Sequence, residues 1–179
     1  YIKTTIDGLF EMEPQVLGVE RGYFFESFKS DEFKKTVADV DFVQDNQSYS
    51  TKGVLRGLHF QTGDAAQGKL VRVISGKILD VAVDLRPDSS SFGAYHSVIL
   101  DSVKQNMLYI PKGFAHGFYV LEDAIFTYKC TNYYNKQAEE SLAWDDKDIN
   151  IQWNAKNPSL SEKDNKAATF KEFKASLGI

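Results

Sequence analysis

Hydrophobic and polar positions alternate with a period of two in several stretches of this chain, and short apolar runs elsewhere sit between turn formers. The clearest stretch is Lys69 to Asp84, KLVRVISGKILDVAVD. It reads as a strand, a Ser75-Gly76 turn and a second strand, which makes a β-hairpin. Tyr95 to Leu100, Asn106 to Ile110, Gly117 to Leu121 and Ala124 to Thr131 read as further short strands. Helical signal is confined to the ends. Ser30 to Val37, SDEFKKTV, offers Ser30 as an N-cap with acids in the first turn. Lys166 to Leu177 is the second helical segment. Strands at this spacing predict a mainly β chain, a closed barrel or a jelly roll with a few peripheral helices. With no linker, repeat or low-complexity tract, residues 1–179 are expected to form one domain.

Composition narrows the partners. Thirteen Phe and nine Tyr add to the strand signal. A net charge of -4 lacks the basic surplus of a duplex-binding protein, so nucleic acid is not an expected partner. A local basic pocket for a small anion is still allowed. The single cysteine, Cys130, has no internal disulfide partner, which fits a reducing compartment. No apolar run approaches the ~20 residues of a membrane span, and no secretory leader is visible. A cytoplasmic location without membrane contact is therefore expected. No G-x-G-x-x-G follows a strand and no G-x-x-x-x-G-K-[ST] occurs, so dinucleotide and P-loop nucleotide readings lose their main support.

Chemistry centres on the histidines His59, His96 and His116. His59 lies in VLRGLHFQ, three residues after Arg56, and His116 lies in PKGFAHGF at a glycine-flanked turn. The run Pro111 to His116 resembles the second motif of metal-binding cupins, but His59-Phe60-Gln61 lacks the paired histidine that those proteins supply earlier. His59, His116 and a carboxylate would be the minimum metal set, and no ligand spacing imposes it. Proton transfer is the other use of such histidines, since imidazole titrates near ~6.5. A base of this kind needs an orienting carboxylate, and Asp84 and Asp164 are candidates; otherwise Asp84 is a strand-end turn former and Asp164 a helix cap. Tyr128, in TYKCTNYY, is a candidate acid, or else a core aromatic. Arg21, Arg56, Lys69 and Lys163 stand outside charge runs and suit phosphate. Gln44-Asp45-Asn46 reads as a turn or as a reader of ligand hydroxyls.

Taken in order, RGYFFE (from Arg21), FVQDNQSYSTKGVLRGLHFQ, QGKLVRVISGKILDVAVDLR, LYIPKGFAHGFYVL, YKCTNYY, SLAWDD and SEKD (to Asp164) resemble the dTDP-4-dehydrorhamnose 3,5-epimerase family over nearly the whole chain. The resemblance implies a double-stranded β-helix (a cupin-like jelly roll), a homodimer, a dTDP-sugar substrate and neither metal nor cofactor. It implies His59 as base, Tyr128 as acid, Asp164 as the group orienting His59, and Lys69 as stabiliser of an enolate oxygen. It places Arg21, Glu26, Gln44, Asn46, Arg56, His116, Glu139 and Lys163 against the nucleotide-sugar and Tyr134 on the thymine. It also implies that RGYFFE reaches into the partner's site. Where the family often reads E-x-G-I-x-W, this chain reads Glu139-Glu140-Ser141-Leu142-Ala143-Trp144, so either acid can stand at the site. The loop before Tyr128 is also about one residue shorter than the family's.

The implied reaction inverts carbons 3 and 5 of dTDP-4-dehydro-6-deoxy-D-glucose, giving dTDP-4-dehydro-L-rhamnose. The ketone at carbon 4 acidifies both hydrogens, and no redox cofactor is needed. The alternatives are a related 3- or 5-epimerase, a ketoisomerase of the same fold, a metal-dependent cupin, or a non-catalytic sugar-binding barrel.

Overall fold

A computed structural model describes residues 1–179. The chain runs through β1 (Ile2–Lys3), β2 (Phe10–Met12), β3 (Leu17–Val19), β4 (Gly22–Phe24), α1 (Ser30–Thr36), β5 (Gln44–Ser50) and β6 (Leu55–Gln61). Two long strands follow, β7 (Lys69–Asp84) and, after β8 (Tyr95–Asp101) and β9 (Met107–Ile110), β10 (Phe114–Cys130). The chain closes with β11 (Glu139–Ser141), α2 (Glu162–Asn165) and α3 (Phe170–Ser176).

The antiparallel pair β7–β10 is the spine, in register from Phe114 opposite Asp84 to Cys130 opposite Lys69. Each half of each long strand has its own second neighbour. On β7 these are β9 beside Lys69–Arg72 and β8 beside Lys77–Val83. On β10 they are β6 beside His116–Tyr119 and β5 beside Ala124–Cys130. Changing neighbours midway turns one long ribbon into the two walls of a cupin-like jelly roll, the fold class expected above.

The Lys69–Asp84 hairpin is not formed. Gly76 takes φ +80° and bends the strand without reversing it, and a Cβ there would lie 2.1 Å from the Asp123 carbonyl oxygen. Backbone packed that closely leaves no room for a side chain, and β10 takes up the hydrogen bonds that a hairpin would have closed on itself. The two strands expected at 117–121 and 124–131 are likewise one, with bulges where its register shifts between Val120 and Phe126. At the first helix Lys29, not Ser30, is the cap residue, and it makes no side-chain bond. The C-terminal helix begins at Phe170, where Thr169 and Glu172 form a capping box.

Period-two alternation divides the core. Val71, Val73, Ile78 and Ala82 of β7 meet Phe114, Phe118 and Phe126 of β10 inside the barrel. The opposite face, with Val81, Val83 and Ala115, is covered by Leu142, Ile149, Trp153 and Phe170. That covering runs the C-terminal chain behind β6. The Asp146 carboxylate anchors it by accepting the backbone N–H groups of Ile149 and Phe170. Phe33 of α1 seals a third cluster with Phe10, Leu70, Met107 and Tyr109. No helix is long and apolar enough to cross a membrane.

Candidate active site

A cavity of about 210 Å³ is lined in part by Asn46, Arg56, His59, Lys69, His116 and Tyr128. Four strands deliver these side chains. Register sets His59 of β6 directly opposite His116 of β10, and Tyr128 of β10 opposite Asn46 of β5. Phe126, Tyr128 and Cys130 share one face of β10 by simple alternation. The approach of β6 to β10 beside the histidines requires glycine on both strands: a Cβ on Gly57 would lie 2.6 Å from Gly117 Cα, and one on Gly117 2.7 Å from the Arg56 carbonyl oxygen. His116 is therefore a strand residue, not a turn residue.

His59 is half-buried, and its Nε2 lies 2.6 Å from Oδ1 of Asp164. Asp164 is not a cap. It sits inside α2, which is capped by Ser161. Its other oxygen accepts the Gly57 N–H at 3.2 Å. Burial disfavours its charge, but the bonds from His59, Gly57 and Ser161 outweigh that and hold its carboxyl below the usual range. An obligate acceptor at Nε2 makes that nitrogen the donor and leaves Nδ1 with the lone pair. Asp84, the other candidate for orienting His59, is occupied elsewhere. It takes Arg86, Ser89 and Ser91, which overcome its desolvation and hold its pKa at about 2.

Lys69 Nζ lies 5.8 Å from the Tyr128 ring centroid. Desolvation pushes the Lys69 pKa down, opposed by the charges of Cys130, Asp80 and Glu139. Desolvation also pushes the Tyr128 phenol up, so it is a neutral proton donor at pH 7. Arg56 bonds Ser50 through Nε at 2.9 Å, leaving its terminal nitrogens without a partner in the chain.

A second cluster adjoins the cavity through β5. Gln44 donates to Asn46 and accepts the Tyr134 N–H. Tyr134 donates its hydroxyl to Glu139, whose same oxygen lies 2.8 Å from Lys163 Nζ. Those two bonds overcome desolvation and lower the Glu139 pKa. Glu140 is exposed and makes no such contact, so geometry separates the two acids. Gln44-Asp45-Asn46 is strand, not turn. Its alternation puts Gln44 and Asn46 inward and Asp45 outward. Arg21 and Glu26 are not brought to this cavity; both are exposed on or beside the two-stranded β3–β4 arm.

Sequence reasoning missed Asp80, whose Oδ2 lies 2.8 Å from His116 Nε2. Its signal was present: an acid between apolar residues on the inward face of a strand requires a partner. No three His, Cys, Asp or Glu side chains converge as a metal-ligand set. His96 lies outside the site and pairs with Glu11.

Residues 3–172 match the family model described as dTDP-4-dehydrorhamnose 3,5-epimerase. The chain is 53% identical to the Shigella flexneri protein of that name over 165 residues, 91% of each chain. It is similar to the crystal structure of a dTDP-6-deoxy-D-glucose-3,5-epimerase from Legionella pneumophila in complex with dTDP-4-keto-L-rhamnose, with TM-score 0.94 and 46% identity over 98% of this chain and 95% of that one. A 3'-monoepimerase from Streptomyces bikiniensis in complex with dTDP-quinovose superposes with TM-score 0.91 at 30% identity, over 99% and 91% of the two chains.

Proposed function

The chain belongs to the dTDP-4-dehydrorhamnose 3,5-epimerase family and is an isomerase, and we propose that it inverts carbons 3 and 5 of dTDP-4-dehydro-6-deoxy-D-glucose by proton transfer between His59 and Tyr128. The observation that carries this reading is one small cavity lined by an oriented imidazole, a desolvated lysine and a neutral phenol.

With Nε2 held by Asp164, Nδ1 of His59 takes the hydrogen from the carbon next to the ketone. Charge gathers on the carbonyl oxygen, and Lys69, already desolvated, stabilises it without reorganising. Tyr128 gives its proton to the opposite face of the carbon, and the centre is inverted. Solvent at the cavity mouth then takes the proton from His59 and returns one to Tyr128, and repeating the step at the second carbon completes the reaction. The terminal nitrogens of Arg56, with Lys163, grip the diphosphate, and the ring of Tyr134, 55% exposed, stacks on the base. Binding energy from the nucleotide holds the hexose in place.

Arg21 and Glu26 enter through a homodimer. The β3–β4 arm that carries them exposes Leu17, Val19, Tyr23 and Phe24, an apolar surface suited to a second copy. The arm of one protomer would then complete the cavity of its partner. Wild-type protein in D2O, given the keto-sugar, should place deuterium at both carbons. Deuterium at one carbon only would assign the chain to the single-site epimerases instead. The higher identity to double epimerases, 53% against 30% for the monoepimerase, favours two.

A further inference from the structure

A second buried histidine–carboxylate pair borders the cavity. Asp80 lies in β7 between Ile78 and Ala82, on the face that packs the barrel interior, and is inaccessible to solvent. A charge so placed is seldom kept without a partner. Its Oδ2 sits 2.8 Å from Nε2 of His116, while its Oδ1 has no partner at all. His116 is itself 6% exposed and lines the cavity beside His59, Lys69 and Tyr128.

A carboxylate only accepts, so Nε2 of His116 carries the hydrogen. Burial lowers the His116 pKa; Asp80 opposes this, and Lys69 and His59 reinforce it, so the ring is neutral at pH 7. Its Nδ1 is then a bare lone pair. That nitrogen makes no hydrogen bond within the chain, and the ring that carries it lines the cavity. Phosphate oxygens are acceptors too and are repelled by such a lone pair. A hydroxyl fits it.

The geometry points to Asp80 as a positioning residue that commits His116 to accept a hydrogen bond from a hydroxyl of the bound hexose, rather than to bind the diphosphate as a cation. The inference rests on the nucleotide-sugar reading and deepens it. It divides the labour in the cavity: Arg56 and Lys163 take the diphosphate, and His116 reads the sugar. The same carboxylate opposes the desolvation of Lys69, which helps that ammonium stay charged.

Long-range 1H–15N spectra of the uniformly 15N-labelled full chain test this directly. Free protein at pH 7 should show His116 protonated at Nε2 and bare at Nδ1. Adding dTDP-glucose, which has hydroxyls but no ketone, should move the Nδ1 resonance, and adding dTDP should not. An imidazolium, an Nδ1–H tautomer, or equal movement with dTDP alone would overturn the inference. In Asp80→Asn a neutral partner leaves Nδ1 less basic. Affinity for dTDP-glucose should fall roughly tenfold while affinity for dTDP stays within about twofold; equal loss for both ligands would count against it. Should Asp80→Asn fail to fold, the wild-type spectra decide alone. Because dTDP-glucose does not react, the outcomes separate. Deuterium incorporation without a response at Nδ1 sinks only this inference. A response without incorporation sinks the epimerase reading and leaves His116 as a reader of hexose.

Discussion

Replacing Asp164 by Asn should silence His59 while leaving the fold in place. Two contacts decide how the amide sits. Oδ2 of Asp164 accepts the Gly57 N–H, and Oδ1 faces His59 Nε2 at 2.6 Å. The Gly57 N–H is a donor and needs an oxygen, so the new NH2 group must face the imidazole. Nε2 is then forced to accept, the ring hydrogen moves to Nδ1, and the lone pair that attacks the substrate is gone. The charge-assisted bond that disappears is worth about 1.5–3 kcal/mol. The tautomer change acts on top of that, and in a serine-protease triad the equivalent Asp-to-Asn change costs about 10⁴ in kcat. A fall of about 10³–10⁴ in the rate of deuterium exchange at pH 7 is expected here. Stopped exchange time courses in D2O, read by NMR of the sugar, measure it, and circular dichroism verifies the fold. Exchange within about threefold of wild type would refute the assignment of Nδ1 as the base.

Three further outcomes follow from particular contacts. Lys69→Met should lower kcat by about 10²–10³ and change dTDP affinity little, because the ammonium acts on charge that develops only during reaction; a pure KM effect in steady-state kinetics would contradict this. Asp84 has a folded pKa of about 2, depressed from 3.8. Its contribution is therefore complete above about pH 4 and is lost as pH falls toward 2; urea melts of Asp84→Asn should show about 2 kcal/mol less stability at pH 7 and a smaller loss between pH 4 and 2 than wild type. Gly76→Ala should destabilise the protein by about 3 kcal/mol or more, since a methyl group would meet the Asp123 carbonyl at 2.1 Å with φ at +80°; an unchanged urea midpoint would contradict the bent, continuous β7.

The parts of the fold that pattern reasoning reached are those whose inward faces are apolar, such as β8, β9 and the separate halves of the two long strands, though not their continuity. It failed where function overrides the pattern. β5 turns Gln44, Asn46, Ser48 and Ser50 inward, so its buried face has no hydrophobic signal, and its first residues resembled a turn. Gly76 looked like a hairpin turn because a positive φ serves a reversal and a bend equally well in sequence; only the distant β10 strand selects the bend. At the site, His59 and Asp164 are 105 positions apart, and their pairing was legible through family resemblance alone. Local reasoning offered Asp84 just as readily. Asp80 was passed over because DVAVD reads as a strand ending in an acid, whereas it is the first aspartate of that run that turns inward to His116.

The most direct test of the paired imidazole and phenol is Tyr128→Phe incubated with the keto-sugar in D2O. The variant lacks the acid on one face and keeps the base on the other. His59 should still remove the hydrogen and return deuterium to the same face, so the recovered sugar should carry the label with its configuration retained. His59→Ala should show no exchange at all. Inversion by Tyr128→Phe at the wild-type rate, or label uptake by His59→Ala, would contradict the account.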